Sequence, residues 1–343
     1  MKHALVSVLF LLVGCGDSAS TDISDAEVDT AADSGVASDT ASPTDVAGEV
    51  DAATPDAAAL DAPVEAAADT GPIDPLAGMG PVTKVAGGYQ FTEGTAWNAA
   101  GYLLFTDIPA ATIHKLPFDG VAAPLRTDGA KANGLGFMVG GDLLACEHWN
   151  RRVSRTTTGG VVAVVDQFEG KKLNSPNDLV VRSDGTIYFT DPNYGLEGRP
   201  AELGFKGVFR VDPKGAITAL AKDMNQPNGI GLSPDEKTLY VSDTATSLVR
   251  AWPVVADGSV GTPSKLADLG GGGDGLAIDD AGNLYVTCNA GVRVISPTGK
   301  VLGTIKIPES ATNCAFGGPD RQWLFVSAGK SIYRVHLGIP GKG

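Results

Sequence analysis

The sequence predicts an all-β fold, a six-bladed β-propeller of four-stranded antiparallel blades, closed by a strand at residues 82–86 in the last blade. Three observations predict it. Six segments of similar pattern recur, starting at Glu93, Asn133, Asn177, Asn228, Asp274 and Asn313, with spacings of 40, 44, 51, 46 and 39 residues. Periods of this length belong to propeller blades. Each segment opens on a carboxylate or amide residue and then reads as a short apolar strand, a polar turn and a second strand rich in Val, Leu, Tyr and Phe, as in NDLVVRSDGTIYFTD from Asn177. Third and fourth strand-like runs follow, such as 152–156 with 161–165 and 292–295 with 301–305. The sixth repeat has three strands, so the unpaired run at 82–86 is expected to lie beside 331–337 and remove an open sheet edge.

Composition divides the chain before the repeats begin. Lys2 precedes an apolar run at 4–13, shorter than the roughly 20 residues needed to cross a bilayer, and the run ends in Leu12-Val13-Gly14-Cys15. This resembles a bacterial lipobox, so residues 1–15 are read as an export leader, with lipid on Cys15 as the sole membrane contact. Gly16, rather than Asp, follows the cysteine, which points to the outer rather than the inner membrane of the cell envelope. Residues 16–75 hold 15 Asp or Glu, no Lys or Arg and no aromatic residue. Such a segment buries too little apolar surface to offset its chain entropy and is read as a disordered tether. Residues 76–343 form the propeller and carry 25 basic and 25 acidic residues, so the net charge of −14 comes from the tether. A near-neutral domain argues against nucleic acid, and the chain is expected to be monomeric. Cys146, Cys288 and Cys314 lie in or beside apolar runs and are expected to be buried free thiols.

Propeller topology gives the repeat-leading residues a common place. The first strand of each blade lines the central channel, so Glu93, Asn133, Asn177, Asn228, Asp274 and Asn313 should meet at one mouth. Oxygen donors in such a ring suit one divalent hard cation, calcium. Glu93 and Asp274 would balance its charge, and Asn177 and Asn228 would add neutral oxygens. Asn or Asp before Gly also serves tight turns, but that does not account for an oxygen side chain at all six starts. No His or Cys leads a repeat, which disfavours a soft metal. The second strands end on the same face, at residues such as Asp107, Glu147, Asp191 and Asp243. Substrate contacts are therefore sought among Asn133, His148, Arg151, Arg152, Asp191, Tyr194 and Asn313. The propeller segment has no G-x-S-x-G and only three histidines, His114, His148 and His336, which argues against serine hydrolysis.

The segments FTEGTAWNAAGYLLFTDIP, CEHWNRRVSR, LNSPNDLVVRSDGTIYFTDPNYGL, QPNGIGLSPDEKTLYVSD and TNCAFGGPDRQWLFVSA occur in this order between residues 88 and 335. Together they resemble the gluconolactonase and regucalcin-like family of propeller lactonases. The resemblance implies a divalent metal on Glu93, Asn228 and Asp274, with Asn177 as ligand or substrate contact and Asp274 as the acid/base residue. It departs in one place: the regucalcin-type branch has Arg two positions before the asparagine matched by Asn177, and this chain has Ser175. The expected activity is hydrolysis of a small-molecule lactone, a gluconolactonase-like sugar lactone, by water attack on a calcium-polarised carbonyl. The alternatives are a non-catalytic propeller that binds a ligand or protein at the envelope, and phosphotriester hydrolysis.

Overall fold

The computed structural model describes residues 73–342. The expected leader with Cys15, and nearly all of the expected tether at 16–75, lie outside the described residues. Six four-stranded antiparallel sheets form the blades. The strand nearest the axis is Thr92–Asn98 in blade 1, Ala132–Phe137 in blade 2, Leu179–Val181 in blade 3, Pro227–Leu232 in blade 4, Leu276–Ile278 in blade 5 and Ala311–Gly317 in blade 6. Blades 1 to 5 then run outward in chain order, and blade 6 does so for its three inner strands. A two-stranded ribbon, Gln167–Phe168 with Lys171–Lys172, and a single 3-10 turn at Tyr194–Leu196 are the additions.

The core lies between blades. Second strands such as Leu143–Glu147, Ile187–Asp191 and Leu284–Cys288 are buried at every position, because both faces of each sheet meet a neighbouring blade. Their sequences LLACE, IYFTD and LYVTC accordingly show near-continuous rather than alternating apolar character. Cys146, Cys288 and Cys314 are buried free thiols within this packing.

The ring closes as expected. Strand Thr83–Gly87 pairs antiparallel with Ser331–His336, with Thr83 opposite Arg334 and Gly87 opposite Ser331. It is the outermost strand of blade six. Glu309 reinforces the seam by accepting hydrogen bonds from Ser331 Oγ (2.5 Å), Tyr333 OH (2.8 Å) and the Lys330 amide (2.8 Å), with Lys84 Nζ 3.6 Å away. Ahead of the seam, Asp74 Oδ1 accepts the amide of Leu76 at 2.9 Å. Leu76 in turn packs against the core between blades five and six.

Candidate active site

The channel mouth is assembled by a defect repeated in the sheets. In four blades the inner ladder slips at the start of the strand, between Glu93 and Ala96, Ala132 and Leu135, Pro227 and Ile230, and Ala311 and Asn313. In blades 3 and 5 the ladder begins only at Leu179 and Leu276. A bulge leaves a residue unpaired and re-aims its side chain. The freed backbone turns to the next blade instead: the Gly134 amide donates to Asn177 O (2.7 Å) and the Gly275 amide to Thr312 O (2.8 Å). Hydroxyls near the ends of second strands add to this, with Thr190 donating to Asn228 O and Ser242 to Asp274 O, each at 2.7 Å. Glycine is needed at these crossings, because a Cβ on Gly229 would lie 2.3 Å from Asp274 O.

The result is a cleft of about 380 Å³ lined by Phe91, Glu93, Ile108, Asn133, His148, Asn177, Tyr194, Gly195, Glu197, Asn228, Thr244 and Asp274. The structure therefore brings together Glu93, Asn133, His148, Asn177, Tyr194, Asn228 and Asp274. Glu93 is buried and its pKa stands well above the usual carboxylate range, through burial and the charge of Asp274. Asp274 opens partly to the cleft and is pushed up to about 7 by loss of solvent and by the charge of Asp178. His148 is pushed down to about 4 by burial, so near pH 7 it is a neutral imidazole. Its ring packs against the 3-10 turn, where a Cβ on Gly195 would come within 2.3 Å.

Four expected substrate residues lie elsewhere. Asn313 sits one step off the register read from the sequence. Thr312 receives the amide of Gly275 just as Asn177 receives that of Gly134, so Thr312 is the leading residue of the sixth repeat. Asn313 takes the second position, beside Asp178: Asn313 Oδ1 accepts from Thr95 Oγ1 (3.0 Å) and its Nδ2 lies 3.4 Å from Asp178 Oδ2, below the cleft. Asp191 is a strut, accepting the amides of Asn174 and Ser175 at 2.7 Å. Asp107 and Asp243 do the same for residues 90–91 and 225–226, so the strand-end aspartates fix the loops that deliver Glu93, Asn177 and Asn228. Arg151 is buried and its guanidinium is taken up by Leu173 O (2.6 Å) and Glu202 (3.0 Å). Arg152 Nε donates to Glu147 at 2.6 Å. Burial would raise Glu147, but hydrogen bonds from Arg152, Arg126, Ser154 and Asn150 outweigh it and hold its pKa low.

The sequence reading passed over Asp178. Its carboxylate is buried at the head of a channel cavity of about 290 Å³ and is pushed up to about 7 by burial. A signal was present, since the second repeat position is Gly in four repeats and Asp178 in the third. Room for it exists because the facing residue is Gly134, where a Cβ would lie 2.5 Å from Asp178 Oδ1.

Among the described residues no group of three or more His, Cys, Asp or Glu is placed to hold a metal ion. Besides Glu197, which pairs with Lys131, the cleft combines two carboxylates, Glu93 and Asp274, with the amides of Asn133, Asn177 and Asn228. The Asn133 Oδ1 is buried without a hydrogen-bond partner. An orphaned buried acceptor is costly, and an all-oxygen set of this kind fits a hard cation rather than a soft one.

A family model described as the SMP-30/Gluconolactonase/LRE-like region matches residues 91–330. The chain belongs to this family. Within the SMP-30/gluconolactonase/LRE-like family it is similar to the gluconolactonase of Zymomonas mobilis, 33% identical over 280 residues that cover 72% of this chain and 78% of that one. It is also similar to regucalcin of Xenopus laevis, 31% identical over 260 residues, covering 70% and 83% respectively. A solved gluconolactonase from Xanthomonas campestris superposes with a TM-score of 0.72 at 32% identity, covering 77% of this chain and 91% of that one.

Proposed function

We propose that the chain is a lactonase that uses a divalent cation, calcium, to open a cyclic ester with water. The observation that carries this reading is the pair Glu93 and Asp274, facing each other with three amides in one cleft, in a chain whose relatives include gluconolactonase. Glu93, Asn177, Asn228 and Asp274 would hold the cation. A bound divalent ion supplies electrostatic stabilisation of the charge that develops on a lactone carbonyl oxygen. Asp274, at the open edge of the set, takes the proton from the attacking water. Neutral His148 and Asn133 border the opposite wall and orient the ring. Purified protein is expected to hydrolyse lactones, to lose activity with chelator and to regain it with calcium. Activity unchanged by exhaustive chelation would remove the cation.

Stability gives a second readout. In metal-free protein Asp274 and Asp178 are raised to about 7 from an ordinary 3.8, so the folded state holds more protons than the unfolded chain between those values. Stability must therefore fall as pH rises through that window. A cation bound there displaces the protons. Calcium is thus expected to raise the melting temperature more at pH 7.5 than at pH 5; no rise at either pH would contradict a cation in this cleft.

The same proposal puts the enzyme at the cell envelope, lipid-anchored through Cys15 and more suited to the outer membrane. Radioactive palmitate is expected in the wild type and absent from Cys15→Ala. Equal label in both would remove the anchor.

A further inference from the structure

Most exposed apolar residues of a folded chain are scattered and carry no message, whereas clustered ones do. Among the described residues the exposed aromatic side chains are Phe91, Trp149 and Tyr194, at 41%, 52% and 45% exposure. All three stand in loops on the cleft's side of the propeller. Phe91 immediately precedes the inner strand of blade 1, Trp149 follows the second strand Leu143–Glu147, and Tyr194 follows Ile187–Asp191. Phe91 and Tyr194 line the cleft itself, together with half-buried Ile108.

These rings are held, not loose. Asp107 Oδ1 accepts the Phe91 amide at 3.1 Å, and the Ile108 amide donates to Phe91 O at 3.1 Å. Tyr194 opens the 3-10 turn. The Trp149 amide donates to Ala130 O at 3.0 Å, and the Arg199 guanidinium lies 4.8 Å from its ring centre.

The cleft offers a substrate acid no free cationic side chain. Its lining contains Glu93, Glu197 and Asp274 and no Lys or Arg. The cations closest to the rim are already engaged. Lys131 Nζ pairs with Glu197. Arg199 donates to Leu196 O, Trp149 O, His148 O and Gly195 O. Polar groups outside the proposed cation set are few and largely committed. The Thr244 hydroxyl donates to Gly273 O at 2.6 Å and accepts from Asn228 Nδ2 at 3.1 Å, while His148 Nε2 faces Asn133 at 3.5 Å. A substrate rich in hydroxyls would find little to bond, and a substrate acid would leave water against Phe91, Ile108 and Tyr194 with no free cation to receive it.

We infer that the cleft selects an uncharged lactone bearing an apolar arm, which lies against Phe91, Ile108 and Tyr194. It disfavours acid-bearing and polyhydroxylated lactones. This rests on the lactonase reading above and names the substrate class of that site.

The test compares four δ-lactones on the full chain loaded with calcium: the unsubstituted ring, the same ring with a pentyl arm, with a pentyl arm ending in a carboxylate, and glucono-δ-lactone. Burial of apolar carbon is worth roughly fourfold per methylene, so the pentyl arm is expected to raise kcat/KM by about 30-fold or more over the bare ring. It should also exceed the acid-ended arm by about 100-fold, the cost of taking a carboxylate from water onto apolar side chains without a counter-charge, and exceed glucono-δ-lactone. Phe91→Ala and Tyr194→Ala, checked for an unchanged melting temperature, should each shrink the pentyl advantage by about tenfold, and Glu197→Lys should relax discrimination against the acid by about tenfold. Preference for glucono-δ-lactone or the acid-ended arm, or ratios unmoved in all three variants, would overturn the inference. If no lactone is turned over, the lactonase reading fails by itself. Calorimetric binding of the corresponding pentyl and carboxypentyl δ-lactams then decides this one: tighter binding of the pentyl lactam upholds it, and equal or reversed affinities overturn it.

Discussion

Asp274→Asn is expected to lower kcat/KM for lactone hydrolysis by about a thousandfold, the scale of losing a positioned proton acceptor, while the protein stays folded. The two halves of this prediction have one cause. Burial raises the pKa of Asp274 and Glu93, and charge adds to it, Asp178 acting on Asp274 and both aspartates acting on Glu93. Such a group does not stabilise an empty channel, because a buried carboxylate without a counter-charge costs folding free energy. The amide is nearly the same shape. It removes one negative charge and the proton-accepting oxygen but leaves the backbone in place, with Asp274 O still bonded by Ser242 Oγ and the following amide by Thr312 O. Metal-free Asp274→Asn should therefore melt at or above the temperature of the metal-free wild type at pH 7.5. In the wild type calcium should raise the melting temperature, and in the variant that rise should shrink. Glu93→Gln should behave in the same way. Activity within tenfold of wild type would exclude Asp274 from the mechanism, and a large drop in melting temperature would make it a structural residue.

The second large effect concerns the seam. A chain starting at Ile73 is expected to fold as the full chain does, whereas a chain starting at Gln90 should lose stability and aggregate. The second truncation removes the whole Thr83–Gly87 ladder against Ser331–His336, together with the bonds from the Gly80 amide to His336 O and from the Gly88 and Tyr89 amides to Lys330 O. It also strips Val82, Val85, Ala86 and Leu76 from the apolar clusters on either side of blade six. Net hydrogen-bond and burial terms of roughly 1 kcal/mol each add to about 5 kcal/mol or more, which corresponds to about 10 °C or more in melting temperature for a domain of this size. The exposed edge of Ser331–His336 would then be free to pair with another copy, so light scattering should rise during refolding. Equal melting temperatures for the two chains would mean that the seam contributes little and the ring is held by blade-to-blade packing alone.

The amino-acid sequence by itself determined the blade count, the order of strands and the identity of the closing strand. Those features rest on repeated local patterns: six apolar strand pairs, a turn between each pair, and one unpaired run before the first. It also placed the oxygen-bearing residues at the repeat starts, because a propeller maps equal repeat positions to equal places. Tertiary structure decided what one sequence cannot express. In the sixth repeat, TNC at 312–314 can be read in two registers that differ by one residue, and a one-residue slip sends a side chain to the other face; the bond from Gly275 to Thr312 settles it and puts Asn313 beside Asp178. Arg151, Arg152 and Asp191 carry the residue types of a binding rim, yet their partners are Leu173, Glu147 and residues 174–175, contacts made by loops whose path depends on long-range packing. The inward place of Asp178 depends on the bare Cα of Gly134 in the neighbouring blade. Phe91, Ile108 and Tyr194 come from loops of blades 1 and 3, and only the tertiary fold makes them line one cleft.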